Sequence, residues 1–184
     1  VCSSDLKAGI SVLVIDVVKG FVAVELIHLN PVLKSDPTLW LNFRIALCLA
    51  ALIGHIFPIF AGFRGGKGVA TLLGGVIALA PPAAAVAVVV FVSVLFIFRY
   101  VSLASMAGGL SFPFTVLFVM NNSPLFLVIF SCVIAALLII THKKNIQRLF
   151  LRQESRFEPF TKNNSPSLLH FVLCPEMQAG FRLR

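Results

Sequence analysis

Apolar positions dominate this chain in long runs over residues 9–29, 41–63, 69–98, 101–120 and 124–140. Most of these runs come close to the ~20 residues that carry a helix across ~30 Å of hydrocarbon. A membrane β-barrel would instead show ~10-residue segments of alternating polarity, a pattern this sequence lacks. The chain is therefore expected to be all-α, a polytopic bundle of transmembrane helices.

The polar positions say where the chain turns. Lys7, Arg64 with Lys67, Arg99, and the cluster Lys143, Lys144, Arg148, Arg152 and Arg156 flank apolar runs, whereas the connector 121–123 carries no charge. Because basic residues concentrate in cytoplasmic loops, the first set is expected inside and the connector outside. Arg64 and Arg99 then share a face, so the stretch 69–98 must leave and return. Pro81-Pro82 near its middle supplies the break, predicting a short broken or re-entrant helix pair. The alternative, one long tilted helix, places Arg64 and Arg99 on opposite sides.

Composition agrees with a bilayer environment. Hydrophobic residues make up 59% and charged residues 12%, with a mean hydropathy of +1.00, which excludes an ordinary water-soluble domain. Fifteen Lys and Arg against seven Asp and Glu give +8. In a soluble chain that excess would suggest nucleic acid; here it sets topology, and no nucleic-acid partner is expected. Cys2, Cys48, Cys132 and Cys174 show neither CxxC pairing nor metal-ligand spacing, so no disulfide framework is read. Residues 1–158 are expected to form one transmembrane domain, N-terminally incomplete because the chain opens on Val1-Cys2-Ser3-Ser4-Asp5-Leu6. Residues 159–184 are assigned no packed role and are a candidate for disorder.

The most informative polar stretch is Gly54-His55-Ile56-Phe57-Pro58 followed by Phe63-Arg64-Gly65-Gly66-Lys67-Gly68-Val69-Ala70-Thr71. Glycines let successive backbone N–H groups point into one concavity, and the N-terminus of a following helix favours an anion. With the charge of Lys67 these features predict a phosphate cradle. It is not a Walker A loop, because Lys67 is followed by Gly68 and preceded by an apolar helix, so ATP is not implied. The plain alternative is a flexible turn with a basic residue for topology.

Asp16 and Lys19 lie three apart within the first run, as an ion pair seating the helix or as a substrate contact. Ser102 and Ser105 can donate to a phosphate, or can cap and pack a helix. His142, Asn145 and Arg148 are each three apart, so on a continuous helix neighbours share a surface that is cationic and hydrogen-bonding. A basic helix lying on anionic lipid would also use the Lys and Arg residues, but gives no reason for His142 and Asn145.

Together, these two stretches, Val101-Ser102-Leu103-Ala104-Ser105 and His142-Lys143-Lys144-Asn145-Ile146-Gln147-Arg148-Leu149 resemble the bacterial membrane acyl-phosphate:glycerol-3-phosphate acyltransferase family. Asp16-Val17-Val18-Lys19-Gly20 also fits it, and the resemblance covers roughly residues 7–157. It implies transfer of an acyl group from acyl phosphate to the 1-hydroxyl of glycerol 3-phosphate, giving lysophosphatidic acid and phosphate. It implies no metal or other cofactor, no coenzyme A and no acyl carrier protein. The implied location is the bacterial inner membrane, multi-pass, with the site facing the cytoplasm. By the same resemblance Arg64, Gly65, Gly66, Lys67 and Gly68, with Ser102 or Ser105, look like phosphate binders. His142 and Asn145 look like the catalytic groups, His142 as a general base unless a phosphate oxygen takes the proton. Asp16, Lys19, His55, Arg148 and Glu154 are possible supporting residues.

Two departures accompany the resemblance. The family's earliest motif, Ser-Gly-Asn-x-Gly-Ala-Thr-Asn, is expected before Lys7 and is absent, so the family's first helix and part of the phosphate site are expected to be missing. Glycine is usual two residues before the glutamate matched to Glu154, and this chain has Arg152. The competing reading is a transporter or channel for a phosphate-bearing solute, which needs a site reachable from both faces.

Overall fold

The structure, a computed structural model, describes residues 3–30, 34–59, 62, 65–120 and 123–156. Among them are seven α-helices and no strand: α1 (Ser3–Glu25), α2 (Pro37–Ile56), α3 (Val69–Leu79), α4 (Pro81–Phe98), α5 (Val101–Phe118), α6 (Leu125–Thr141) and α7 (Lys143–Phe150). A 3-10 turn, Leu26–Leu29, ends α1. Arg64 and the segment 157–184 lie outside the described residues, and with them the expectations made for Arg64 and for the tail.

Local chemistry sets the helix ends. Asp36 caps α2, its Oδ1 accepting from the amides of Thr38 at 2.8 Å and Leu39 at 3.1 Å, with Pro37 at the first helical position, where no N–H is needed. Ala80, forced out of the helical region by the proline that follows it (φ −146°, ψ 74°), separates α3 from α4. The break expected at Pro81-Pro82 is therefore present, but the two halves are unequal. The 11 residues of α3 rise only about 16 Å, whereas the 18 of α4 can cross by themselves. The prolines occupy the first turn of α4, so they end one helix without shortening the next. Helices α2, α4 and α5 are each long and apolar enough to cross a membrane, and α6 with α7 forms a fourth candidate bent by 57°.

Hydrogen bonds fix the direction of the pair. Lys67, just before α3, bonds to Asn145 on α7, and Ser102, just after α4, bonds to Glu154, which Asn145 also contacts. The beginning of α3 and the end of α4 thus lie at one end of the bundle, and a single long helix over 69–98 is excluded. Helix α3 stops part-way through, where Arg44 of α2 donates to the Ala78 carbonyl at 2.6 Å and to Glu25 at 2.8 Å. A helix end inside a bilayer needs such a partner, because no water is present to serve its last carbonyls.

The closest packing is between α1 and α3. A β-carbon at Gly20 would collide with the Thr71 carbonyl, and one at Gly74 with the Val17 carbonyl, so the two backbones approach through small residues as membrane helices do. Val24, Cys48, Leu52, Val76, Phe112 and Ile134 fill the core, where Phe112 and Phe130 meet edge to face with centroids 6.0 Å apart. Ile53, Phe96, Phe114, Phe126 and Ile140 point outward, as an apolar belt facing lipid should. Cys48 and Cys132 are both free thiols.

Candidate active site

The glycine-lysine loop sits directly on the end of α2. A β-carbon at Gly65 would strike the carbonyl oxygens of His55 and Ile56, one at Gly66 would strike Nε2 of His55, and one at Gly68 the Leu52 side chain. Gly68 also has φ +76° as it starts α3, a conformation that side chains disfavour. The sequence suggested these glycines as a row of amides around an anion; the structure supplies a packing reason for each of the three.

From this loop Lys67 reaches across the bundle. Its ammonium donates to Asn145 Oδ1 at 2.8 Å. Asn145 Nδ2 donates to Glu154 Oε1 at 2.8 Å, and the same oxygen accepts from Ser102 Oγ at 2.6 Å. The amide of Asn145 has one orientation that serves both neighbours, with its oxygen toward the cation and its nitrogen toward the carboxylate. The chain Lys67–Asn145–Glu154–Ser102 thereby joins a loop, α7, the segment beyond α7 and the first turn of α5. Among the described residues Lys67 makes one side-chain bond, to Asn145, and an ammonium has two further N–H directions to offer an anion.

The charges tune one another. Burial pushes the Lys67 ammonium below its usual value and Arg148 adds to that, against the opposing charge of Glu154. For Glu154 burial acts upward, but the bonds from Ser102 and Asn145 and the charges of Arg148 and Lys67 outweigh it and hold the carboxyl below its usual value. His142, only 1% exposed, lies at the bend between α6 and α7. Burial and nearby Lys67 hold its imidazole below the usual value, despite opposing contributions from the Leu138 carbonyl and Glu154. Its Nδ1 donates to that carbonyl at 2.9 Å, so the neutral ring keeps the lone pair on Nε2.

A turn after α7 brings Glu154 back. Gln153 N–H bonds to the Arg148 carbonyl at 2.8 Å and Arg152 N–H to the Leu149 carbonyl at 3.1 Å, the paired bonds of a Schellman turn. Arg152 sits at φ +53°, the position in this turn that glycine normally takes. Arg156 then stacks its guanidinium 5.7 Å from the Tyr100 ring centre and donates from Nε to the phenol oxygen at 3.2 Å, tying the segment to the start of α5. Beside the polar cluster lies an apolar cavity of about 460 Å³, lined among others by Val17, Val69, Phe91, Ser105, Phe112 and Leu138.

A cationic and hydrogen-bonding cluster beside an apolar cavity suits a substrate with an anionic head and a fatty tail. Comparison with known proteins gives this arrangement a family. The family model for glycerol-3-phosphate acyltransferase matches residues 3–152. The chain belongs to the glycerol-3-phosphate acyltransferase family. The glycerol-3-phosphate acyltransferase of Geotalea daltonii is 37% identical over 153 residues, covering 83% of this chain and 74% of that protein. Its counterpart from Chlorobium phaeobacteroides is 32% identical over 180 residues, covering 82% and 75%. The chain is also similar to the crystal structure of PlsY (YgiH), an integral membrane glycerol 3-phosphate acyltransferase, in its lysophosphatidic acid form. That similarity has a TM-score of 0.70 at 35% identity and covers 83% of this chain and 74% of the other. The glycerol 3-phosphate form of PlsY gives the same TM-score at 32% identity, covering 91% and 76%.

Within this acyltransferase fold the residues singled out in the sequence divide into two groups. Lys67, Ser102, Asn145 and Glu154 are joined by hydrogen bonds; Arg148 acts on the charges of Lys67 and Glu154, and those two act on His142. Of the two serines, Ser102 enters the polar cluster, whereas Ser105 donates to the Val101 carbonyl of its own helix at 2.8 Å and lines the cavity. Asp16, Lys19 and His55 form a separate cluster behind the loop. His142 does not share a continuous helix with Asn145 and Arg148, because the chain bends at His142 itself (φ −95°, ψ 8°), so the three-residue spacing describes only the last two. The contact between Tyr100 and Arg156 escaped the sequence reading, in which Arg156 stood only for topology. A lone Tyr and a distant Arg carry no spacing signal, and only the returning turn brings them together.

Proposed function

We propose that this acyltransferase moves an acyl group from acyl phosphate to the 1-hydroxyl of glycerol 3-phosphate, releasing lysophosphatidic acid and inorganic phosphate. The observation that carries the reading is the junction of the Lys67–Asn145–Glu154–Ser102 chain with the apolar cavity. Acyl phosphate has an anionic head and a hydrocarbon tail, and the site offers a neighbour for each. Leu138 belongs to both regions, lining the cavity and holding His142 Nδ1.

In the proposed reaction Lys67, with the amides around Gly65, Gly66 and Gly68, binds phosphate, and the Ser102 hydroxyl joins them when its one proton turns from Glu154 to the substrate. Arg64 and Ser105 complete this group of binders in the reading from resemblance. The substrate hydroxyl oxygen attacks the acyl carbonyl carbon, the bond from that carbon to the phosphate oxygen breaks, and phosphate departs with the electron pair. The hydroxyl proton has two acceptors, Nε2 of His142 and an oxygen of the departing phosphate. Lys67 stabilises the charge gathering on the leaving group, a preorganised effect that counts for most where water is excluded. Asn145 keeps Lys67 aimed, and Glu154 keeps Asn145 and Ser102 aimed.

The basic residues Lys67, Arg99, Lys143, Lys144 and Arg148 all belong to the end of the bundle that holds the site, so the site is proposed to face the cytoplasm from a bacterial plasma membrane. The test is a comparison of acyl donors with the purified full-length protein. Labelled acyl phosphate should give lysophosphatidic acid and one equivalent of phosphate, while acyl-coenzyme A and acyl carrier protein thioesters of the same chain length give none. Efficient transfer from either thioester would replace the proposed donor.

A further inference from the structure

The phosphate-site reading leaves Asp16, Lys19 and His55 without a task, although all three are satisfied together. Asp16 and Lys19 are three apart on α1, and His55 lies in the last turn of α2. Lys19 Nζ donates to Asp16 Oδ1 at 2.7 Å and lies 3.0 Å from His55 Nδ1. An ammonium has only donors, so the second contact is a hydrogen bond only when Nδ1 is unprotonated. Asp16 Oδ1 is 3.3 Å from the same nitrogen and would be the partner of an Nδ1–H; the shorter Lys19 contact favours the other tautomer. The neutral ring then carries its proton on Nε2, the atom that faces Gly66, since a β-carbon built there lands on it.

We propose that His55 is a positioning residue for the anion loop. Lys19, held by Asp16, fixes the orientation and tautomer of the ring, and the ring's Nε2–H edge seats the backbone at Gly66 next to Lys67. The arrangement explains why glycine stands at position 66, where the ring takes the space of a side chain. It also links α1 to the loop that sends Lys67 toward Asn145, giving a paired charge within an apolar helix a purpose beyond its own neutralisation. The inference rests on the proposed phosphate role of Lys67, because the loop it positions is that site.

Two measurements on the full-length protein test it. Nitrogen-15 spectra of labelled histidine, with His55 assigned by its loss in His55→Gln, should show Nδ1 unprotonated and Nε2 protonated. Lys19→Met should change that pattern. In the transfer assay Lys19→Met and His55→Asn, which keeps an acceptor for Lys19 but does not reach Gly66, should each raise KM for the phosphate substrates about five-fold, the order expected from one lost hydrogen bond. Their kcat should stay within about two-fold and their melting temperatures near the parent's. A protonated Nδ1 in the parent, an unchanged KM in Lys19→Met, or equal losses in kcat and melting temperature would overturn the proposal. Failure of the donor reading appears differently, as no transfer from acyl phosphate by a parent whose histidine spectrum still shows the lock.

Discussion

Replacing Gly74 by alanine tests the packing that places the site. Its added β-carbon would meet the Val17 carbonyl oxygen, with the Phe21 amide nitrogen 2.9 Å away. Both are backbone atoms, which cannot rotate aside as a side chain would. Helices α1 and α3 must part by more than about 1 Å to restore ordinary contact distance. Overpacking of this kind costs about 1–3 kcal/mol, and a clash with backbone belongs at the upper end. The better helix propensity of alanine offsets about 1 kcal/mol, leaving a net loss of about 2 kcal/mol. At about 2–4 °C per kcal/mol for a chain of this size, the melting temperature should fall by roughly 4–8 °C. Gly54→Ala is the matched control, because nothing lies within 4 Å of its β-carbon; it should melt at or slightly above the parent temperature. Tryptophan fluorescence of Trp40 during heating in detergent reads both. Since α3 begins beside Lys67, displacement of its backbone should also cut transfer by up to about 10²-fold. A Gly74→Ala protein that melts at or above the parent, with full activity, would refute the close α1–α3 crossing.

Three further outcomes follow from the site and its supports. Because His142 is held below the usual imidazole value of about 6.5, its base form persists as the pH falls through that value. The acid limb of its pH–rate profile should therefore have a midpoint below 6.5 and should vanish in His142→Gln; a midpoint above 6.5 would contradict the assigned environment. Arg44→Met strips the Ala78 carbonyl of its side-chain donor and leaves Glu25 to His28, which should lower stability by about 1–3 kcal/mol in detergent unfolding, with part of the loss recovered in the double variant with Glu25→Gln. Arg152→Gly relieves a left-handed backbone at φ +53° that costs a side-chain-bearing residue about 1–2 kcal/mol, so it should raise the melting temperature; an unchanged or lower value would mean that the Schellman turn does not form.

Much of the fold was legible because membrane helices announce themselves by length and apolarity, and the proline pair gave the site of the break. Its asymmetry was not legible. Nothing in 69–98 says that the shorter half ends inside the bundle, a fact that depends on Arg44 of another helix reaching Ala78. In the candidate site, the glycine-lysine run singled out the loop that carries Lys67, but the glycines were read for their amides, whereas close packing on His55, Ile56 and Leu52 is what the structure displays. The spacing of His142, Asn145 and Arg148 assumed a continuous helix and missed the bend at His142. The departure at Arg152 marked a real backbone requirement, the positive φ of the turn that returns Glu154. The link from Lys67 through Asn145 to Glu154 and Ser102 joins residues up to 78 apart, a relation that no local pattern encodes.

The central claim is that Lys67 binds and stabilises the phosphate lost from an acyl phosphate. The most direct measurement is the initial rate of lysophosphatidic acid formation from labelled acyl phosphate and glycerol 3-phosphate, for the full-length protein and for Lys67→Ala at matched folded concentration. The account predicts a fall of about 10²–10³-fold, the cost of removing one preorganised charge from a developing anion. A folded Lys67→Ala protein that keeps the parent rate would contradict it.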